Sequence, residues 1–329
     1  MRKTGKFLAG VAAVMIGAAA LPPPAYAIAN GEAVPDGRYP FAVKISTIGI
    51  PTADGGKRDS SCSGGLISPH WVITAAHCFR DLDGNRVSHT VAEQTFVTVG
   101  RADLTSKDGF AADVVEVVQH GQADVALIRL DKAITKIDPL TLGSREPAQG
   151  QKARLVGYGF TNPQATQTPD RLRTGRFEVT SVDDTEMGLS GVAPRATTSP
   201  CERDSGGPYF TEGDGGAVLI GVVSRGPDCP HAGPDIATRV DAIAPWVKSV
   251  IKNDVAATTS PSKTRKPSGR TDESSVQAAP PTPAATIGGF SPVLLVTLPA
   301  VAIGFVVVLI ASGRRNSRSR RARGYHRRR

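Results

Sequence analysis

Aromatic residues make up only 5% of this 329-residue chain, and Trp occurs twice. Gly (35) and Pro (25) are plentiful instead, which argues against a protein of long helices and for one with many turns. Histidine is scarce. The six His show no metal-ligand spacing, and no glycine-rich phosphate loop is present. Neither a metal nor a cofactor is therefore expected. Cysteine is limited to four residues in two local groups, Cys62/Cys78 and Cys201/Cys229. An even count in an exported chain points to two disulfides, and four cysteines allow three pairings. Acidic residues are missing altogether from the final segment, RRNSRSRRARGYHRRR, which holds nine Arg.

That tail explains a net charge of +9 that would otherwise suggest a nucleic-acid partner. Without it and the three basic residues of MRKTGK, 27 Lys and Arg face 30 Asp and Glu, a net charge of −3. The basic character belongs to the two ends, and no nucleic-acid partner is expected.

Both ends read as membrane addresses. Arg2, Lys3 and Lys6 precede an apolar run from Phe7 to Leu21, then Pro22–Pro24 and an A-x-A motif at Ala25–Ala27. This is the pattern of a signal peptide over residues 1–27. A second A-x-A at Ala18–Ala20 is a rival cleavage site that would leave LPPPAYA as a short pro-segment. Residues 286–313 carry no charge and include VLLVTLPAVAIGFVVVLIA, long enough for a membrane-spanning helix. The Arg-rich residues 314–329 follow, so the positive-inside rule puts this tail in the cytoplasm and the rest of the chain outside. No LPxTG motif precedes the apolar run, so a retained helix is expected rather than covalent wall attachment. Residues 253–285, rich in Ala, Thr, Ser and Pro, read as a disordered stalk. Residues 28–252 remain as the folded part, outside the cell membrane where disulfides persist. The expected location is a bacterial cell surface, with a single pass through the membrane.

Within that part, short alternating or β-branched runs recur: FAVKI (41–45), TFVTV (95–99), VVEVV (114–118), ALIRL (126–130), ARLVG (153–157), GRFEVTSV (175–182) and AVLIGVV (217–223). Gly, Pro and Asp clusters separate them, the pattern of an all-β antiparallel sandwich or barrel. Near its end, PWVKSVIK places Ile243, Val247 and Val250 on one helical face, with Pro245 in the first turn.

Three stretches carry the chemistry: TAAHC (74–78) with His77, DVALIRL (124–130) with Asp124, and DSGGP (204–208) with Ser205. Amide hydrolysis needs a nucleophile, a base near neutral pKa, and a carboxylate to orient that base. Each stretch alone is modest evidence, since Ser-Gly-Gly is usually a turn. Together, in the order His, Asp, Ser, they form a nucleophilic triad.

At these residues the sequence resembles the trypsin/chymotrypsin family of serine proteases. The resemblance extends over CSGGLISPHWVITAAHC, GYG (157–159), CERDSGGP, GVVSRG and PDIATRV, and covers about residues 28–252. It implies two packed six-stranded antiparallel β-barrels and a C-terminal helix, with the triad between the barrels. It implies a protein or peptide substrate, with the backbone N–H groups of Arg203 and Ser205 as the oxyanion hole; a monomer is expected. It implies disulfides Cys62–Cys78 and Cys201–Cys229, and places Ser224 against the triad carboxylate. It also implies that an N-terminus created at Ile28 folds inward to pair with Asp204. One cut after Ala27 would then serve both export and activation.

The departures concern specificity. Arg203 stands where the family has Gly, and is expected to project over the leaving-group side of the cleft. Arg225 replaces a Trp. The pocket-floor position is Ser199, not Asp, while Asp235 stands where a Gly is usual; Ser224 and Gly226 are the other expected substrate-binding residues. A carboxylate at Asp235 favours cleavage after Arg or Lys. Ser199 alone would favour large apolar residues. No acidic cluster suggests the surface calcium site found in some family members. The competing class is a catalytically impaired, protease-like surface binding or adhesion protein.

Overall fold

The computed structural model describes residues 28–213 and 215–259. Chain contacts divide the molecule after Thr264, and every described residue lies in the first unit. The expected signal peptide, span and tail lie outside the described residues, as does all of the stalk beyond residue 259. Among the described residues, no helix is long and apolar enough to cross a membrane.

The first barrel is closed by six antiparallel strands in the order β2-β3-β4-β7-β6-β5. These are β2 (Ala42–Pro51), β3 (Lys57–Ser68), β4 (Trp71–Thr74), β5 (Gln94–Val99), β6 (Phe110–Gln119) and β7 (Ala126–Leu130). Alternation explains them. In β2, Val43 and Ile45 are fully buried while Lys44 between them is not. Ile45, Leu66, Ile73, Val97 and Leu127 fill the interior. Burying each such side chain contributes about 1.5–3 kcal/mol.

The second barrel is built from β9 (Lys152–Gly157), β10 (Arg173–Val182), β11 (Glu186–Ala193), β12 (Pro208–Gly213), β13 (Gly216–Arg225) and β14 (Asp235–Arg239). β9 pairs with both β10 and β12, which closes the ring. Two short strands attach outside it: β1 (Glu32–Ala33) on β10, and β8 (Thr141–Leu142) parallel to β13. Leu155, Phe177, Val179, Leu189 and Tyr209 form its core. The two-barrel, all-β architecture with a terminal helix is the one the resemblance implies.

The helix α1 (Val240–Thr259) starts earlier and runs further than expected. Pro245 is its sixth residue rather than a first-turn residue. Ile243 and Val247 are buried as expected, and Val250 is partly so. The helix does not stop at residue 252. Asp254 accepts the His70 backbone N–H at 2.9 Å and lies 2.6 Å from His70 Nδ1. Trp246 also meets His120 edge-on at 5.0 Å. These contacts tie the helix following the second barrel to the first barrel, and so hold the two walls of the cleft together.

Candidate active site

His77 sits on a single 3₁₀ turn (Ala76–Cys78) directly after β4, and Asp124 on the β6–β7 connection. Two contacts join them. Asp124 Oδ1 accepts the His77 backbone N–H at 2.9 Å, and Oδ2 lies 2.7 Å from Nδ1. A carboxylate only accepts, so Nδ1 carries the hydrogen and Nε2 is left with its lone pair. Ser224, on β13, donates to the same Oδ2 at 2.7 Å. Burial alone would raise the Asp124 pKa. The His77 contacts and the Ser224 hydroxyl outweigh it and hold the carboxyl down at about 2. Asp124 is thus ionised at neutral pH and fixes both the tautomer and the direction of the ring.

Ser205 belongs to the tight connection before β12. Gly206, at φ +82, makes the turn, and a Cβ there would meet Thr74 Oγ1 at 2.1 Å. Arg203 has φ +78, a conformation that disfavours any residue with a Cβ. It takes the left-handed backbone that favours glycine, the residue the resemblance implies there. Its carbonyl accepts from Ser63 Oγ at 3.1 Å, and the Ser205 carbonyl accepts from Ser63 N at 2.9 Å. Ser63 therefore secures the Arg203–Ser205 loop from the opposite barrel, a role hidden in sequence because CSGG reads only as a small-residue run.

Ser205 lines two cavities. The smaller, about 240 Å³, also holds His77, Arg203, Arg58 and the Cys62–Cys78 disulfide. The Arg203 guanidinium bonds Ser60 Oγ at 2.9 Å and lies 5.1 Å from the Phe160 ring. The larger cavity, about 440 Å³, is lined by Ser224, Gly226, Cys201, Cys229 and Asp235. Cys201 and Cys229 are bonded, so both disulfides have the implied partners. Asp235 is 1% exposed and lies against Gly226, where an added Cβ would stand 2.0 Å from Oδ1. Burial, with the nearby Asp204 adding to it, pushes the Asp235 pKa up to about 8. Ser199 is fully buried, and its Oγ accepts the His231 backbone N–H at 3.4 Å. Arg225 turns to the surface, where its guanidinium meets both Glu186 oxygens at 2.6 and 2.7 Å.

Ile28 and Asp204 are both fully buried. Asp204 Oδ1 accepts Gly159 N at 2.7 Å and Oδ2 accepts Cys201 N at 3.0 Å, and the Ile28 backbone N–H also bonds this carboxyl. Burial dominates these three bonds and pushes the Asp204 pKa up to about 7. Ile28 has φ +48, which is strained for a β-branched residue.

Among the described residues, no group of three or more His, Cys, Asp or Glu could hold a metal ion. The arrangement instead offers an oriented imidazole base, a hydroxyl and a buried pocket carboxyl along one cleft.

Two six-stranded antiparallel barrels with such a cleft define the chymotrypsin-like fold. The trypsin family model matches residues 28–247, and the chain belongs to that family. It is 31% identical over 251 residues to glucanase inhibitor protein 3 of Phytophthora infestans, covering 68% of this chain and 88% of that protein. It is 30% identical over 220 residues to the thrombin-like enzyme elegaxobin-1 of Protobothrops elegans, covering 61% of this chain and 90% of that protein. Mouse neuropsin, a serine protease, has the same fold, with a TM-score of 0.54 and 23% identity over 68% of this chain and all of that one.

Proposed function

We propose that the chain is an extracytoplasmic serine endopeptidase that cleaves after Arg or Lys. The observation that carries this reading is the position of Ser205 between two cavities, beside an imidazole held by Asp124. In this mechanism Ser205 Oγ attacks the scissile carbonyl while His77 Nε2 takes its proton. The oxyanion is met by the backbone N–H groups of Arg203 and Ser205. His77 then protonates the leaving amine, and water repeats the sequence on the acyl-enzyme. Asp124 stabilises the imidazolium in both halves.

The larger cavity receives the side chain before the scissile bond. A buried carboxyl at Asp235 suits a guanidinium or ammonium there. The smaller cavity takes the leaving-group side, where Arg203 and Arg58 disfavour basic residues. A fluorogenic peptide pair differing only in Arg or Phe tests this assignment. The Arg peptide is expected to be faster, with the advantage lost in Asp235→Asn. Faster cleavage of Phe, unchanged in that variant, would contradict it.

The uncharged stretch 286–313 and the nine following Arg support a single-pass anchor, with residues 1–27 removed on export. Externally added protease should then release the folded domain from intact cells and leave the tail protected. The name of the Phytophthora relative, an inhibitor's, favours a second reading: an impaired protease-like binding protein. Reaction of Ser205 with a fluorophosphonate separates the two.

A further inference from the structure

We propose that His231 and Asp235 hold one proton between them, and that a cationic side chain enters the larger cavity only by expelling it. The inference rests on the proposed role of Asp235 in meeting a basic substrate residue. It adds His231 as a specificity-determining residue acting through Asp235.

Hydrogen-bond geometry carries the argument. His231 Nδ1 lies 3.1 Å from the Gly233 carbonyl oxygen. A carbonyl only accepts, so Nδ1 bears the hydrogen. In a neutral ring Nε2 then presents a lone pair, and Nε2 is 3.2 Å from Asp235 Oδ1. A lone pair and an ionised carboxylate oxygen repel at that distance. A proton between them removes the conflict, whether it resides on the ring or on the acid, and in both cases the pair is neutral overall. The two side chains are only 11% and 2% exposed, so water does little to screen the alternative. Asp235 Oδ2 is buried without a hydrogen-bond partner among the described residues, an acceptor still open to a ligand N–H.

The surroundings favour retention of the proton. Asp204 is within electrostatic reach of Asp235 and opposes a further negative charge there. Ser199 Oγ faces the His231 backbone. Glu202, Asp228 and Arg225 stand on the cavity lining, with Arg225 engaged by Glu186. Burial raises the Asp235 pKa and lowers that of His231, which puts the shared proton on Asp235 near neutral pH. When a guanidinium or amidinium enters, Asp235 ionises against it, His231 stays neutral, and one proton leaves to solvent. An uncharged ligand of the same shape leaves the proton in place. Affinity for the cation therefore rises about tenfold per pH unit until the pair has titrated, then levels off.

The test is calorimetric titration of the full-length chain with benzamidine and with uncharged benzamide, in two buffers of different ionisation enthalpy, at about pH 6 and about pH 9. Release of about one proton per benzamidine at the lower pH, little at the higher, and none with benzamide is expected. In His231→Gln an amide N–H can replace the lone pair facing Asp235. Benzamidine should then bind about tenfold or more tighter at the lower pH, with proton release largely gone. Asp235→Asn should weaken benzamidine and remove the pH dependence. Benzamidine binding without proton release in the wild type would overturn the proposal, and that count needs no variant to fold. An unchanged profile in a folded His231→Gln would assign the proton to Asp235 alone and overturn the role of His231. Failure of benzamidine to bind at either pH, in protein whose Ser205 reacts with a fluorophosphonate, would overturn the basic-pocket reading beneath it.

Discussion

The proposed coupling of export to activation predicts a pH-dependent difference between two forms of the protein, one beginning at Ile28 and one retaining Leu21–Ala27. Asp204 is fully buried, and in the longer form it meets only uncharged backbone N–H groups, including that of Ile28. Its folded pKa of about 7 lies above the ordinary 3.8. For a raised carboxyl, the contribution to stability is complete below pH 3.8 and is lost as pH rises through about 7. The loss is on the order of 4 kcal/mol. Cleavage turns the Ile28 amide into an ammonium and supplies the missing charge. Breaking such a buried pair costs roughly 3–5 kcal/mol, so the cut form should keep its stability at the pH where the longer form loses it. Urea unfolding of both forms between about pH 4 and pH 8 measures this directly. The longer form is expected to weaken steadily across that range while the Ile28 form stays nearly level. Parallel curves would refute the pairing of Ile28 with Asp204, as would full peptidase activity in the longer form.

Other outcomes follow from single contacts. Gly226→Ala would drive a methyl group into Asp235 Oδ1, so kcat/KM for Arg peptides should fall about 100-fold, with a smaller loss for peptides whose preceding residue is Ala. Arg203→Gly relieves the φ +78 strain and removes a cation from the smaller cavity, so cleavage before Lys should gain relative to cleavage before Glu. An unaltered preference would show that Arg203 does not face the leaving group. Asp254→Ala removes two contacts to His70 and should cost about 1–3 kcal/mol in denaturant unfolding.

Residues whose partners lie within a short motif were legible in the sequence. His77, Asp124 and Ser205 each sit in such a motif, and β2, β5, β7, β9 and β13 each contain an alternating or β-branched run. β3 begins KRDSS with its residues exposed or half-buried, and in β11 (EMGLSGVA) and β12 (PYFTEG) Gly, Ser, Thr and Glu break up the apolar residues, so periodicity alone does not mark them. Helix α1 runs on through NDVAATT, a stretch that in composition alone resembles the stalk. Asp254 is held there by His70, 184 residues away. His231 was illegible for a similar reason: HAGPD reads as an exposed loop until the turn folds the imidazole back over Asp235. The burial of Asp235 itself depends on the closure of β14 against β11 and β13.

The central claim is that Ser205 is a nucleophile activated by His77. Its most direct test is to incubate the folded chain with a fluorophosphonate and locate the adduct by peptide mass analysis. One adduct is expected, on Ser205, lost in Ser205→Ala and slowed by at least about 1000-fold in His77→Ala. No adduct on a folded chain beginning at Ile28, or labelling indifferent to His77, would contradict it and leave the protein a binding module on a protease fold.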